Sequence, residues 1–301
     1  MQTRTGRPLF GAIEGGGTKF VCALAHSPSE IVASETIATA TASSTLAECV
    51  RFFQGAEREH GPIAAFGVGC FGPIELRAGS PRFGCMMATP KQGWSGADIL
   101  APLTRAFSAP VVLDTDVGAA ALAEWRLGAG RDAGSLVYVT VGTGIGGAAA
   151  PAAASSRLMH AEMGHLPVRR DPRDLDFAGV CPFHVDCLEG LASGPAIRAR
   201  WGSNLQDLPA EHAAWAIVGG YLGQLATAIT LMLSVERIVF GGGVMTNGAL
   251  LRHVRDATHR YLNGYVEPLQ SRERIEEYLC APALADRAGV LGALLLAMKA
   301  V

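Results

Sequence analysis

Leu9-Phe-Gly-Ala-Ile-Glu14 enters the glycine run Gly15-Gly-Gly17-Thr18-Lys19, and a second apolar run, Phe20 to Ala25, follows at once. In the second half of the chain, Leu136-Val-Tyr-Val-Thr-Val141 enters Gly142-Thr-Gly-Ile-Gly-Gly147 and then a run of small residues. Each reads as a strand, a glycine-rich turn and a returning strand. The recurrence points to a duplicated architecture with one such turn per lobe. A chain of 301 residues is long enough for this, at about 100–200 residues per domain.

Working outward, strands alternate with helices, which is the α/β pattern. Thr45-Leu-Ala-Glu48 has capping-box spacing and opens a helix with Leu46, Val50 and Phe53 on its apolar face. Residues 64–70 read as a buried strand and 97–107 as a helix. Val111 to Leu113 is a strand delivering Asp114-Thr115-Asp116, and 117–127 is an Ala-rich helix. Residues 189–201 and 213–234 read as helices, the second apolar nearly all round and therefore buried. Glu236 to Phe240 is a strand ending in Gly241-Gly242-Gly243, and 286–298 is a closing apolar helix. The lobe boundary falls near Asp116 to Leu127, giving lobes 1–118 and 119–301. The terminal segment 286–301 is expected to pack back on the first lobe. The stretch 148–156 reads as a surface hairpin or loop.

Composition narrows the partners. With 25 Lys+Arg against 27 Asp+Glu the formal net charge is −2, which argues against nucleic acid or an anionic membrane as the main partner. Hydrophobic residues make up 49% of the chain, enough for a core. No uninterrupted apolar stretch approaches the roughly 18–20 residues of a membrane-spanning helix. Met1 to Pro8 lacks a signal-peptide core. Seven cysteines in so long a chain argue against a disulfide scaffold, and a reducing cytoplasm fits. Cys22, Cys49, Cys70, Cys85 and Cys280 sit in apolar contexts and read as core thiols.

Three glycine turns at carboxyl ends of strands suit a polyphosphate, which needs many backbone N–H donors at close range. Thr18 and Thr143 would add hydroxyl donors. A single such turn is more simply a tight hairpin; the three together favour a nucleotide. Gly142-Thr-Gly-Ile-Gly-Gly147 also matches the dinucleotide pattern of a dehydrogenase, but that motif needs a helix starting inside the glycines. Pro151 would spoil one. No Walker A sequence is present. Asp116, where a buried strand meets a helix, suits a general base for a sugar hydroxyl, or is simply the N-cap of the helix that follows. Asp114, on the same side of the strand, is the rival base. His165 and Cys181-Pro-Phe-His184-Val-Asp-Cys187 offer a tetrahedral Zn2+ set without an open position, hence structural; unrelated surface histidines and buried cysteines are the other reading. His160 is a competing ligand. Glu162 and His165 share a face if their stretch is helical. A metal on one nitrogen of His165 would aim the other at a ligand.

Taken together, the chain resembles the ROK family of sugar kinases (repressors, open reading frames and kinases), and in particular its bacterial zinc-containing fructokinase branch. The resemblance runs from about Gly11 to the C-terminal helix. It is carried by Ile13-Glu-Gly-Gly-Gly-Thr-Lys-Phe20, Thr89-Pro-Lys-Gln-Gly-Trp94, Asp114-Thr-Asp-Val-Gly-Ala-Ala-Ala-Leu122 and Thr140-Val-Gly-Thr-Gly-Ile-Gly146. His160-Ala-Glu-Met-Gly-His165 and the run from Cys181 to Pro195 complete it. It implies a two-lobed actin-like ATPase (ribonuclease H-like) fold with a ligand cleft between lobes, and ATP-dependent hexose phosphorylation with Mg2+. D-fructose is the expected substrate; mannose or glucose, or a non-catalytic sugar or nucleotide sensor, are the alternatives. By motif match, Asp116 is the base, Thr89, Glu162, His165 and Glu189 hold the sugar, and His165, Cys181, His184 and Cys187 hold Zn2+. Gly16, Gly17, Thr18, Lys19, Gly142, Thr143, Gly144, Gly190, Gly241, Gly242 and Gly243 contact ATP. The resemblance also implies a homodimer. Glu14 stands where the family usually has Asp, and Cys-x2-His-x2-Cys replaces three cysteines. Gly118 stands where the family has Asn, and Ala161 where it has Pro. The few residues before the first strand leave no room for the helix-turn-helix of the family's repressors.

Overall fold

The computed structural model describes residues 7–151 and 158–301. The described residues form two compact units, one of residues 7–123, 158–160 and 286–301, the other of 124–151 and 161–285.

The first unit opens with strands β1 (Leu9–Gly15), β2 (Lys19–Ser27) and β3 (Glu30–Ala38). Helix α1 (Ala42–His60) and strand β4 (Ile63–Cys70) follow, then α2 (Ala101–Ala106), β5 (Val111–Thr115) and α3 (Asp116–Leu127). The sheet order is β3-β2-β1-β4-β5: β1 to β3 form an antiparallel meander, and β4 and β5 add parallel to β1. Alternation along β1 divides the core in two. Leu9 and Ile13 share one core with Leu46 and Phe53 of α1 and Phe66 of β4, whereas Phe10 and Ala12 share another with Val290, Ala293 and Leu294 of the last helix.

The second unit contains β6 (Leu136–Val141), β7 (Ile145–Ala150), α4 (Leu188–Ala192), α5 (Gly194–Trp201), α6 (Ala213–Leu233) and β8 (Arg237–Gly241). It continues with α7 (Ala249–Leu262), α8 (Arg272–Tyr278) and β9 (Leu279–Cys280). Its sheet, β7-β6-β8-β9, repeats the opening of the first: an antiparallel hairpin around a glycine turn, then parallel strands. The chain returns to the first unit as α9 (Ala288–Met298). By length and composition α6 could cross a membrane, but 61% of its most apolar window is buried within the protein.

Several boundaries differ from the sequence reading, each for a local reason. Helix α1 starts at Ala42, not Thr45: Thr41 is the N-cap, accepting the Ser44 amide, while Thr45 turns back to accept the Ala40 amide at 3.0 Å. Helix α2 is only six residues long, because Ala97 and Asp98 are engaged elsewhere. The Ala97 carbonyl accepts the Met86 amide, and Asp98 Oδ1 accepts the amides of Leu100 and Ala101. The helix expected over 189–201 breaks at Ser193, whose extended backbone caps α5 ahead of Pro195. Strand β3 was not anticipated; it is an edge strand with mostly exposed side chains and no apolar alternation to reveal it. The stretch 148–156 begins as the end of β7, and its remainder from residue 152 lies outside the described residues. Cys85 and Cys280 are half-buried rather than core thiols like Cys22, Cys49 and Cys70.

Candidate active site

In the first unit the chemistry gathers at the carboxyl ends of β1, β4 and β5, the end at which α/β sheets present ligands. The β1–β2 turn is closed by the Gly16 amide on the Lys19 carbonyl at 2.9 Å. The loop carrying Thr89 folds onto this turn. Lys91 Nζ donates to the Gly17 carbonyl at 2.5 Å, the Lys91 amide donates to Thr89 Oγ1, and Trp94 Nε1 anchors the loop on the Ala40 carbonyl. Thr89 and the Gly16–Lys19 turn are thus brought together. Lys91 is a cation at the turn that the sequence reading missed, although it lies inside a quoted motif.

Asp116 is the first residue of α3, and its Oδ1 accepts the Val117 amide at 2.9 Å. Thr115 Oγ1 accepts the Gly118 amide at 3.0 Å, so the threonine also caps the helix. Burial is the main cause that raises the Asp116 carboxyl to about 6. The Val117 amide and His160 pull it down, and Asp114 pushes it up. A carboxyl poised there can take a proton near neutrality. The His160 ring is seated by the Ile74 amide, which donates to Nε2 at 3.1 Å. His160 is not among the residues whose ligand atoms gather in the Cys/His cluster. Glu14, at the end of β1, has its carboxyl raised to about 7, chiefly by burial and then by Asp116, with Lys19 and the Val290 amide opposing.

In the second unit, β6 and β8 run parallel and end side by side, which places the Gly142 and Gly241 turns together. The Gly142 amide closes its turn on the Gly144 carbonyl at 2.8 Å, and the Gly194 amide caps the Gly142 carbonyl at the same distance. Thr143 is exposed at the tip. No helix starts within these glycines; β7 returns instead, which removes the dinucleotide reading. Gly242 needs its glycine: φ is 92°, and a Cβ would lie 2.5 Å from the Val141 carbonyl oxygen.

Glu189, in the first turn of α4, supports the Gly142–Gly144 turn: its Oε2 accepts the Ile145 amide at 2.8 Å. Glu162 precedes a 3-10 turn, Met163–His165, rather than an α-helix. Burial raises its carboxyl, with His165 lowering it and Glu189 raising it, so the three expected sugar-binding residues of this unit lie within electrostatic reach. Gly190 packs under the Cys181–Cys187 loop, where a Cβ would meet the Val185 carbonyl oxygen at 2.1 Å.

Ligand atoms of His165, Cys181, His184 and Cys187 all lie within 4.8 Å of one another. His165 Nδ1 is 3.5 Å from Cys187 Sγ and 3.7 Å from Cys181 Sγ, and His184 Nδ1 is 3.7 Å from Cys181 Sγ. Tetrahedral zinc, with bonds of about 2.3 Å to sulfur and about 2.0 Å to nitrogen, gives an S···N edge of about 3.5 Å. The donor set and its spacing fit Zn2+.

The sequence profile of the ROK family matches residues 10–300, all but the ends of the chain. The chain belongs to the ROK family. Among its ROK relatives, the fructokinase of Zymomonas mobilis is 43% identical over 299 residues, covering 98% of each chain. A Bacillus subtilis protein described as a putative fructokinase is 36% identical, covering 97% of this chain and 96% of its own. Among solved structures, the ROK hexokinase of Thermus thermophilus superposes with a TM-score of 0.74 at 26% identity, covering 97% of this chain and 98% of that one. The fold is the actin-like, two-sheet architecture of ROK sugar kinases.

Proposed function

We propose that this ROK protein is an ATP-dependent hexose kinase that converts D-fructose to fructose 6-phosphate, with Asp116 as the general base. The observation that carries the chemistry is the Asp116 carboxyl, raised to about 6 at the carboxyl end of β5. The fructokinase relatives at 36–43% identity support the choice of sugar.

In this reading Asp116 accepts the proton of the attacking hydroxyl, and Thr89, Glu162, His165 and Glu189 orient the sugar. Positioning and charge stabilisation do most of the work in phosphoryl transfer. The turns at Gly16–Lys19, Gly142–Gly144 and Gly241–Gly243 cradle ATP with backbone donors, with Thr18 and Thr143 adding hydroxyls; Gly190 supports them through the loop it packs under. Glu14, whose carboxyl is electrostatically coupled to Asp116, is the carboxylate suited to Mg2+, which would neutralise phosphate charge when bound, leaving Asp116 to take the proton. Zn2+ on His165, Cys181, His184 and Cys187 is structural. It would take His165 Nδ1 and leave Nε2 for a sugar hydroxyl. A reducing cytoplasm is the compartment this reading takes, from the odd count of cysteines in so long a chain. We take the working form to be a homodimer that binds neither nucleic acid nor membrane.

Glucokinase relatives at 24% identity make glucose the second candidate sugar. Coupled ADP release across a hexose panel is the test. The expected result is the highest kcat/KM on D-fructose; no hexose-dependent ADP from the wild-type protein contradicts the reading.

A further inference from the structure

Of the 25 lysine and arginine side chains only three are lysines, Lys19, Lys91 and Lys299, and two of these stand at one glycine turn. The Lys19 carbonyl closes the β1–β2 turn, and Lys91 reaches the same turn from the loop before α2. That loop is built to hold it. Ser95 Oγ accepts the Thr89 amide and donates to the Thr89 carbonyl, both at 3.1 Å, and the Trp94 amide donates to the Lys91 carbonyl at 3.2 Å. The fully buried Trp94 ring stacks on Phe20 of β2 at 5.4 Å, which ties the loop to the strand leaving the turn. From this base Lys91 Nζ crosses to the Gly17 carbonyl at 2.5 Å, 74 positions away in sequence. An ammonium has three N–H donors, and among the described residues this carbonyl is the one acceptor it meets. The outer side of the turn is open. Gly17, Thr18 and Lys19 are exposed, and a Cβ on Gly17 would meet nothing within 4 Å among the described residues.

The surroundings give this charge a task. Glu14 and Asp116 lie within electrostatic reach of each other at the end of the same sheet, with Lys19 opposing them. A triphosphate brought to that end meets like charge, which cations have to offset. Lysine suits phosphate as a compact point charge on a flexible stem. Thr89, read above as a sugar contact, is two residues from Lys91, and Gly17 belongs to the turn read as a phosphate cradle. The ammonium therefore stands between the two, where a terminal phosphate would change hands.

We propose that Lys91 is a catalytic cation whose ammonium contacts the terminal phosphate of ATP and stabilises it during transfer. The bond from that phosphorus to the ADP oxygen breaks, and a bond to the hexose oxygen forms. The hydroxyl proton passes to Asp116, and Lys91 keeps its three protons throughout. The proposal rests on the reading of the chain as an ATP-dependent hexose kinase, and the experiment separates the two.

Steady-state kinetics of full-length Lys91→Met, and calorimetric binding of ADP and of the non-hydrolysable imido analogue of ATP, test it beside the wild-type protein. Removing a cation from the charge that develops in transfer lowers kcat about 10²-fold or more. The hexose KM stays within about threefold of wild type, and so does the melting temperature within about two degrees. Affinity for the ATP analogue falls about tenfold or more while that for ADP stays within about threefold, because only the terminal phosphate loses a charge-assisted bond. A kcat within about threefold of wild type overturns the proposal. Equal weakening of ADP and the ATP analogue, or a rise in hexose KM in place of the fall in kcat, also overturns it, since a lysine that merely pins the turn gives that result. Wild-type protein without hexose-dependent ADP release defeats the kinase reading instead, and the nucleotide arm then decides on Lys91 by itself: selective loss of the ATP analogue upholds the phosphate contact, and no selective loss removes it.

Discussion

At the scale of single residues, two acids in the first unit hold protons at unusual pH. As the proposed base, Asp116 has to be ionised, and burial raises its carboxyl to about 6. The expected kcat/KM for hexose therefore rises with pH through about 6 and levels above it, which a pH–rate profile checks. Glu14 carries a stability consequence. Its carboxyl is at about 7 when folded against an ordinary 4.5, so the folded state holds the proton more tightly. The contribution is fully present below the unfolded value and is lost as pH rises through about 7. In magnesium-free buffer, Glu14→Gln should remove up to about 3 kcal/mol of the decline in stability between acid and mildly alkaline pH. Urea unfolding of the variant and wild type across that range measures it. Both acids were visible in the sequence as residues, but only one as a role. Asp116 could be a base or a helix cap, and the structure makes it both a helix-start acceptor and an acid with a raised pKa. Lys91 could not be assigned because its contact with Gly17 spans 74 positions.

At the scale of elements, the turns were legible and the loops between helices were not. Glycine runs announce tight turns because few other residues adopt their backbone, and both hairpins formed around the expected glycines. Strand β3 and the break at Ser193 were missed for opposite reasons, an edge strand without apolar alternation and a helix pattern continuous across a cap. The Cys-x2-His-x2-Cys spacing announced a four-donor cluster with His165, and the structure brings the ligand atoms of these two thiols and two imidazoles within 4.8 Å of one another. It also joins two parts of the second unit: the Val180 amide donates to the Gly190 carbonyl, and the Leu188 amide to the Leu166 carbonyl. Protein purified without chelator should contain about one zinc per chain, since the site takes four ligands. Cys181→Ser should lose it, lower the melting temperature by several degrees and raise the hexose KM, as elemental analysis, thermal scans and kinetics would record. Normal zinc content in that variant would discard the ligand set.

At the scale of the whole molecule, the duplication seen in two glycine-turn hairpins became two sheets of matching plan. What pattern alone could not supply is how closely α9 seats on the first sheet. A Cβ on Gly67 of β4 would lie 1.8 Å from the Ala293 carbonyl oxygen. Gly67→Ala must therefore displace backbone, and the expected cost is about 1–3 kcal/mol or more in denaturant unfolding. An unaffected midpoint would mean that α9 does not hold that position.

The most direct test of the account is hexose-dependent ADP formation by Asp116→Asn beside the wild-type enzyme, at saturating D-fructose and ATP. General-base catalysis is worth about 10²–10⁴-fold, so kcat should fall by at least that lower figure with a folded, zinc-loaded protein. Turnover equal to wild type in that variant would contradict it.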